Sequence, residues 1–351
     1  MVSVCHAEVR EPFNGFYSNF KSHTFSEPTS IDSILHDFRG DIRSGERAFT
    51  YNRVETGVQF HNVSVGYAMR YDYFLHFNED VARAYHASTH DTVLPTNDVQ
   101  QVKIEASHIR AKGAIVGWHW RPAESYGLQI KIARLEADRM VDGYADGALA
   151  LTGENEYSGQ VHFKLNSSED LLLEMPVPDP EGRGYAVDLD FEWQISQQWW
   201  AGFQVLDAYS RIRWDDVLFS DLQANTATVT YDADGHLHTK PVLSGYQYLT
   251  DTTQKLPRKY SGKIQYQVNP NHGVYLERFH VASYASLTSV GYEWTVTEQW
   301  RWGAYWNIST RAIGLTGRWH GLSLQLVADQ ADAQEAHALD LELGLQIPLS
   351  W

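Results

Sequence analysis

The chain of 351 residues carries 28 basic against 44 acidic side chains, a formal net charge of −16, which excludes a polyanion such as nucleic acid as the natural partner. Its 12 Trp, 20 Tyr and 14 Phe are a heavy load of the types favoured by β-strands and membrane interfaces. No stretch approaches the roughly 18 uncharged apolar residues of a membrane helix, and Cys5, the single cysteine, excludes an internal disulfide framework.

Residues 1–7, small or apolar up to Ala7, fit either the tail of a secretory signal or an ordinary N-terminus. Residues 8–45 read as irregular around Pro12, Gly15 and Pro28, with one short amphipathic helix after Ser30 carried by Ile31, Ile34, Leu35 and Phe38. Residues 1–45 are therefore expected to form a separate N-terminal segment, periplasmic or plugging a lumen, ahead of a unit over 46–351.

From residue 46 onward the dominant period is two. In Val63, Val65, Tyr67, Met69, Tyr71, Tyr73, Leu75 and Phe77 every odd position is apolar, a run too long for an ordinary globular strand of about 5–6 residues. Tyr185, Val187, Leu189, Phe191, Trp193 and Ile195 repeat the pattern against Asp188, Asp190 and Glu192 on the even face. The last run, Leu339 to Trp351, alternates leucines with Asp340, Glu342, Gly344 and Gln346. Weaker strands are expected near 47–60, 99–120, 126–139, 148–165, 169–176, 199–213, 258–269, 273–283, 287–296, 300–309, 311–319 and 322–329.

Connections alternate in length. Short turns fall at 121–125, 166–169, 196–198, 269–273, 297–299 and 320–321; longer ones at 78–98, 177–183, 214–257 and 330–337 hold Pro, Gly and charge, with a hairpin expected at Asp232–Gly235. Short turns at one end and long loops at the other are the asymmetry of a transmembrane β-barrel, whose alternating strands keep mean hydropathy low, −0.41 here. The fold class is all-β, a transmembrane antiparallel barrel of about 14–16 strands. Two segments, 192–202 and 293–303, share Glu-Trp, a β-branched residue, Ser or Thr, Gln-Trp and Gly, as a repeated aromatic girdle would require.

No nucleophile elbow, P-loop, zinc-protease or dinucleotide motif occurs, so an enzyme is not expected, and neither a metal nor a cofactor is indicated. His236 and His238 share a strand face, but a solvated hairpin edge explains them, as a solvated acidic loop explains His86 and His90; His119 and His320 flank short turns. The polar faces place Arg70, Asp72, Asp188, Asp190, Glu192, Asp340 and Glu342 as lumen-lining candidates. Either they form an acidic wall favouring cations, or they pair with Lys103, Lys112, Lys131, Arg134, Arg211 and Arg213 and close the barrel as a polar core.

The last strand, with Leu343, Leu345, Ile347, Leu349 and Trp351 on one face, resembles that of Gram-negative outer-membrane barrels, in which such a strand is read by the barrel-assembly machinery. Pro348 departs from a plain terminal strand. Residues 184–203 also look like the matching hairpin of fatty-acid-transporter-like barrels, a family whose N-terminal segment plugs the lumen; residues 8–45 carry no matching plug motif. The resemblance implies a bacterial outer-membrane location and passage of a small or hydrophobic solute through the lumen. The alternative is a structural barrel anchoring or assisting a secretion, pilus or envelope-polymer assembly. Expected partners are outer-membrane lipids, the barrel-assembly machinery, and a solute or envelope complex that the sequence does not identify.

Overall fold

The computed structural model describes residues 13–35, 41–89, 99–153, 156–226, 229–231, 237–239, 242–297 and 299–349. In chain order the strands and helices are β1 (Gly15–Ser26), α1 (Ile31–Leu35), β2 (Arg47–Phe60), β3 (Val63–Phe77), α2 (Glu79–Thr89), β4 (Val99–Ala123), β5 (Tyr126–Gly153), β6 (Glu156–Ser167), β7 (Glu181–Gln194), β8 (Trp199–Asn225), β9 (Val229–Tyr231) and β10 (Leu237–Thr239). They continue as β11 (Leu243–Gln254), β12 (Lys259–Asn269), β13 (His272–Val281), β14 (Ala285–Thr295), β15 (Trp300–Asn307), β16 (Ile313–Trp319), β17 (Leu322–Ala328) and β18 (Ala338–Pro348).

Sixteen of these strands make one closed antiparallel sheet, and β9 pairs only with β10. Two places around the ring are shared end to end. The lower half of β5 pairs with β7 and its upper half with β6, while the lower half of β8 pairs with β12 and its upper half with β11. The sixteen strands thus fill fourteen places in the wall.

The ring closes where β1 lies between β18 and β2, with Gly15 opposite Pro348 and Gln59. The barrel therefore begins at residue 15, not 46, which corrects the expected boundary of the N-terminal segment. Its outward face is Phe16, Ser18, Phe20, Ser22 and Thr24, and its inward face is Tyr17, Asn19, Lys21, His23 and Phe25. Neither face is purely apolar, so alternation gave little contrast. The short helix after Ser30 is present as α1.

Other corrections follow from side-chain environment. Residues 169–176 form turns and irregular chain where a strand was expected, because Asp170 accepts the N–H groups of Leu172 (3.1 Å), Leu173 (3.0 Å) and Met175 (3.3 Å) and bends the backbone. The connection expected at 214–257 is largely strand, since β8 runs to Asn225 and β11 returns. β9 and β10 flank the expected hairpin, whose turn residues, with His236 and His90, lie outside the described residues. Within 78–98 the structure has α2, with Asn78 accepting the Val81 N–H at 3.1 Å. Val81 and Ala82 cover the outward Leu75, Phe77 and Ile104, and so explain why the apolar face of β3 is longer than a membrane requires.

The outward faces of β15, β17 and β18 are apolar over four or five positions, as in Leu322, Leu324 and Leu326, exposed by 46–48%, the extent needed to cross a bilayer. An aromatic girdle marks the short-turn end, where Trp118 stacks on Trp120 and Trp300 on both Trp302 and Trp319. The sequence repeat at 192–202 and 293–303 is one turn used twice. Ser196 Oγ accepts from the N–H of Gln198 and Trp199, and Thr297 Oγ1 from the N–H of Gln299 and Trp300, at 3.1–3.3 Å. By contrast β4, β5 and β8, of 25, 28 and 27 residues, exceed the 9–11 or so that span a membrane. Their upper parts rise beyond the belt with β6 and β11 as a water-facing extension.

Two expectations follow. Leu343→Arg, midway up the lipid-facing side of β18, costs about 2–4 kcal/mol of folding free energy into vesicles; Tyr144→Arg, exposed in the extension above the belt, stays within about 0.5 kcal/mol. Equal costs at both positions contradict the division of the wall. The backbone donors and Gln247 hold the Asp170 carboxyl below the usual carboxylate range, against the opposing effect of burial. Because the folded group is the stronger acid, its contribution is present above the unfolded value of about 3.9 and is lost as pH falls. Protease cleavage within 168–180 rises on acidification from about pH 6 to pH 3, and Asp170→Asn flattens that dependence.

Candidate functional site

Alternation around the closed wall sends charged residues from many strands into one lumen, and eight of them meet there as one network. Lys131 Nζ lies 2.8 Å from Glu55, Glu55 2.6 Å from Arg53, and Arg53 2.7 Å from Asp188. The second Asp188 oxygen accepts the backbone N–H of Asp207 at 2.8 Å. Asp207 in turn takes both terminal nitrogens of Arg70 at 2.7 and 2.8 Å and Lys259 Nζ at 2.7 Å. Asp72 closes the chain by pairing with Arg70 and with Lys259, the latter at 3.1 Å. Lys131, Arg53, Arg70 and Lys259 therefore balance Glu55, Asp188, Asp207 and Asp72.

Burial of this degree is tolerable only because charges and hydrogen bonds are matched. The side chains of Asp207 and Lys259 have no exposed surface at all. What aims Asp207 is a bulge: pairing of β7 with β8 slips between Val187 and Leu189, and Asp207 takes a positive φ of 55°, which Asp tolerates better than most residues.

Above the network, on the side of the long loops, lies an aromatic layer. Phe49, Tyr51 and Phe74 of β2 and β3 face Leu206, Val281 and Leu287 across the lumen, with Phe25, Phe279 and Tyr284 packed against them. The Lys259 ammonium sits 5.1 and 5.2 Å from the Tyr51 and Phe74 ring centroids. Nearby, Ile109, Leu135, Met140, Ile212 and Trp214 fill the space between β4, β5 and β8, and Gln254 bridges it by accepting from Trp214 Nε1 and donating to the His108 carbonyl. On the opposite wall Lys21 meets Glu342 at 2.8 Å, and His23 meets Asp340 and Glu342 at 3.1 and 3.0 Å. Toward the short-turn end the inward residues Asn19, Arg318 and Gln346 are exposed to solvent.

The seven candidates Arg70, Asp72, Asp188, Asp190, Glu192, Asp340 and Glu342 all lie on the inward face. Arg70, Asp72 and Asp188 join the network, Asp340 and Glu342 pair with Lys21 and His23, and Asp190 accepts from Gln204 at 3.1 Å. Glu192 is buried. Of the cations expected to pair with them Lys131 joins the network, and Lys103, on the inward parity of β4 but exposed, lies 3.7 Å from Glu105; Lys112, Arg134, Arg211 and Arg213 face outward by strand parity and are exposed. Arg53, Glu55, Asp207 and Lys259 were missed. Arg53 and Glu55 share the inward parity of β2, a signal the sequence contained, whereas the bulge that turns Asp207 inward leaves none.

Leu343, Leu345 and Ile347 face outward on β18; Leu349 is exposed just beyond it, with its N–H on the Asn14 carbonyl at 2.8 Å, and Trp351 lies outside the described residues. Pro348 is past the last β17 partner and opposite Gly15 alone, where a missing N–H costs no pairing with β17.

Removing one member should expose the interdependence. Asp207→Asn leaves Arg70 and Lys259 facing Asp72 alone and costs about 3–5 kcal/mol, read as a fall in the temperature at which heat-modifiable gel mobility is lost. A change under about 1 kcal/mol contradicts the network.

No family model matches the chain, and no curated protein matches it. Among solved structures it is similar to the toluene transporter TodX of P. putida, at 9% identity over 96% of this chain and 91% of that one with a TM-score of 0.47. It is similar also to the CymD monoaromatic hydrocarbon channel, at 8% over 97% and 90% with a TM-score of 0.34. The outer membrane protease OmpT of Escherichia coli matches at 9% over 96% and 95%, with a TM-score of 0.24. The chain is a closed antiparallel β-barrel with fourteen places in its wall, as the pairing of its own strands establishes.

Proposed function

We propose that the protein is a gated passage in the bacterial outer membrane for a small apolar or amphipathic solute, held closed in this conformation by its own side chains. The observation that carries this reading is the aromatic layer stacked directly on a self-neutralising ion network. Phe25, Phe279 and Tyr284, only partly buried, offer an apolar solute a favourable surface inside the lumen, with Phe49 and Phe74 packed beneath them. The network beneath them opens by exchanging partners or by taking up water, without creating net charge. A polar ion has the opposite experience, meeting apolar side chains first. The acidic carboxylates are thus gate components neutralised by Arg53, Arg70, Lys131 and Lys259, not a free cation-attracting wall. On this reading the chain is not an enzyme, since the titratable groups of the network are engaged with one another.

A structural barrel that anchors or assists a secretion, pilus or envelope-polymer assembly is the second reading. The filled middle of the lumen favours it, because an anchor needs no path.

Replacing Arg70, Asp72, Asp207 and Lys259 together by alanine removes two cations and two anions and so leaves the charge balance intact. In planar bilayers the wild type shows negligible ionic conductance, and the fourfold variant shows stepwise conductance; vesicles bearing the wild type admit a small apolar fluorophore faster than empty vesicles do. A folded fourfold variant without conductance, together with fluorophore entry equal to that of empty vesicles, contradicts the passage and leaves the anchoring barrel.

A further inference from the structure

The outward residues of β4, β5, β7 and β8 change character at one level of the wall. The row Val116, Ile132, Val187 and Tyr209 is apolar or aromatic, and the next row up, in register, is Ala114, Arg134, Tyr185 and Arg211. It holds two guanidinium groups and no carboxylate. The row above it is Lys112, Glu136, Arg183 and Arg213 beside Met69 of β3. The acidic residues come higher still and reach down to this row: Glu181 pairs with Arg183, Asp215 and Asp251 with Arg213 at 3.6 and 3.4 Å, and Asp138 holds Arg110 at 2.7 and 2.9 Å. On a chain of net charge −16, two successive rows bordering the lipid belt thus carry five cations and one anion, and with Arg183 and Arg213 paired from above the lower cations Arg134 and Arg211, with Lys112, are left facing the belt.

A concave groove of about 570 Å³ opens at this level on the outer wall, lined by Val54, Met69 and Tyr71 on one side and on the other by Arg110, Lys112 and Arg183 interleaved with Glu136, Asp138 and Glu181. Its charged side is largely balanced within itself, since Arg110 pairs with Asp138 and Arg183 with Glu181; Lys112 at its edge and Arg134 and Arg211 in the row beneath, next to the lipid belt, have no such carboxylate pair among the described residues. We propose that the row of Arg134 and Arg211, with Lys112 at the edge of the groove above it, binds the phosphate-bearing headgroup of a membrane lipid in the leaflet on the long-loop side. Guanidinium groups suit the task because their planar donors match phosphate oxygens two at a time. The site rests on the membrane reading of the belt and is independent of whether the lumen conducts.

The test uses the full chain in nonionic micelles doped with phosphatidic acid, with phosphatidylcholine of the same chain length, or with inorganic phosphate, and counts retained lipid by native mass spectrometry. Wild type retains phosphatidic acid in preference to phosphatidylcholine, and inorganic phosphate does not displace it. Lys112→Gln, Arg134→Gln and Arg211→Gln combined weaken retention by about tenfold or more, while Glu136→Gln strengthens it; all four side chains are exposed, so heat-modifiable mobility stays as in wild type. Equal retention of the two lipids overturns the proposal, as does unchanged retention in the triple variant. Complete displacement by inorganic phosphate shows a free-anion site and overturns the lipid assignment.

Discussion

Eight charged side chains buried in the lumen have to neutralise one another, because an uncompensated ion there costs several kcal/mol. That constraint organises much of the molecule. It requires Asp207 to reach Arg70 and Lys259 at once, which the regular alternation of β8 does not provide; the bulge beside Val187 supplies the extra residue, and Asp supplies the tolerance for φ of 55°. It also requires six strands, β2, β3, β5, β7, β8 and β12, to hold register relative to one another across the lumen. A slip of one residue in any of them turns its charge toward lipid and strands the partner.

The network also makes sense of the layers around it. Aromatic and aliphatic side chains from β1–β3 and β13–β14 cap it on one side and keep water away, which strengthens each ion pair. On the other side Asn19, Arg318 and Gln346 remain solvated, so the lumen is a vestibule from the short-turn end and a packed interior beyond. The wall outside follows an independent logic. Its character is set by what surrounds it: hydrocarbon against Leu324 and Leu343, α2 against Leu75 and Phe77, and water against Lys112 and Arg134.

Much of this is legible in the sequence wherever two faces of a strand differ sharply in polarity. β3, β7 and β18 could be read residue by residue, and the turn repeat at 196–199 and 297–300 announced itself through identical Ser/Thr and Trp positions. β1 escaped because serine, threonine and phenylalanine alternate with histidine, lysine and tyrosine, so hydropathy barely oscillates. The sharing of one place by β6 and β7, and of another by β11 and β12, escaped because it depends on where strands end in space. The inward carboxylates were visible from parity, but their partners were not: Arg70 and Asp207 lie 137 positions apart, and no local pattern links them. Lys112, Arg134, Arg211 and Arg213 looked like partners by proximity in sequence, yet parity sends them outward, where they mark the edge of the belt.

The closed lumen is tested most directly by thiol access from each side of the membrane. In a Cys5→Ser background, Asn19→Cys sits in the solvated vestibule below the network. Oriented in vesicles, it is predicted to react with a membrane-impermeant maleimide supplied at the short-turn face and to stay unreacted when the reagent is supplied at the long-loop face. Equal labelling from both faces of the otherwise unaltered barrel would show an open path past Arg70, Asp207 and Lys259, and would contradict the account of the network as the closure.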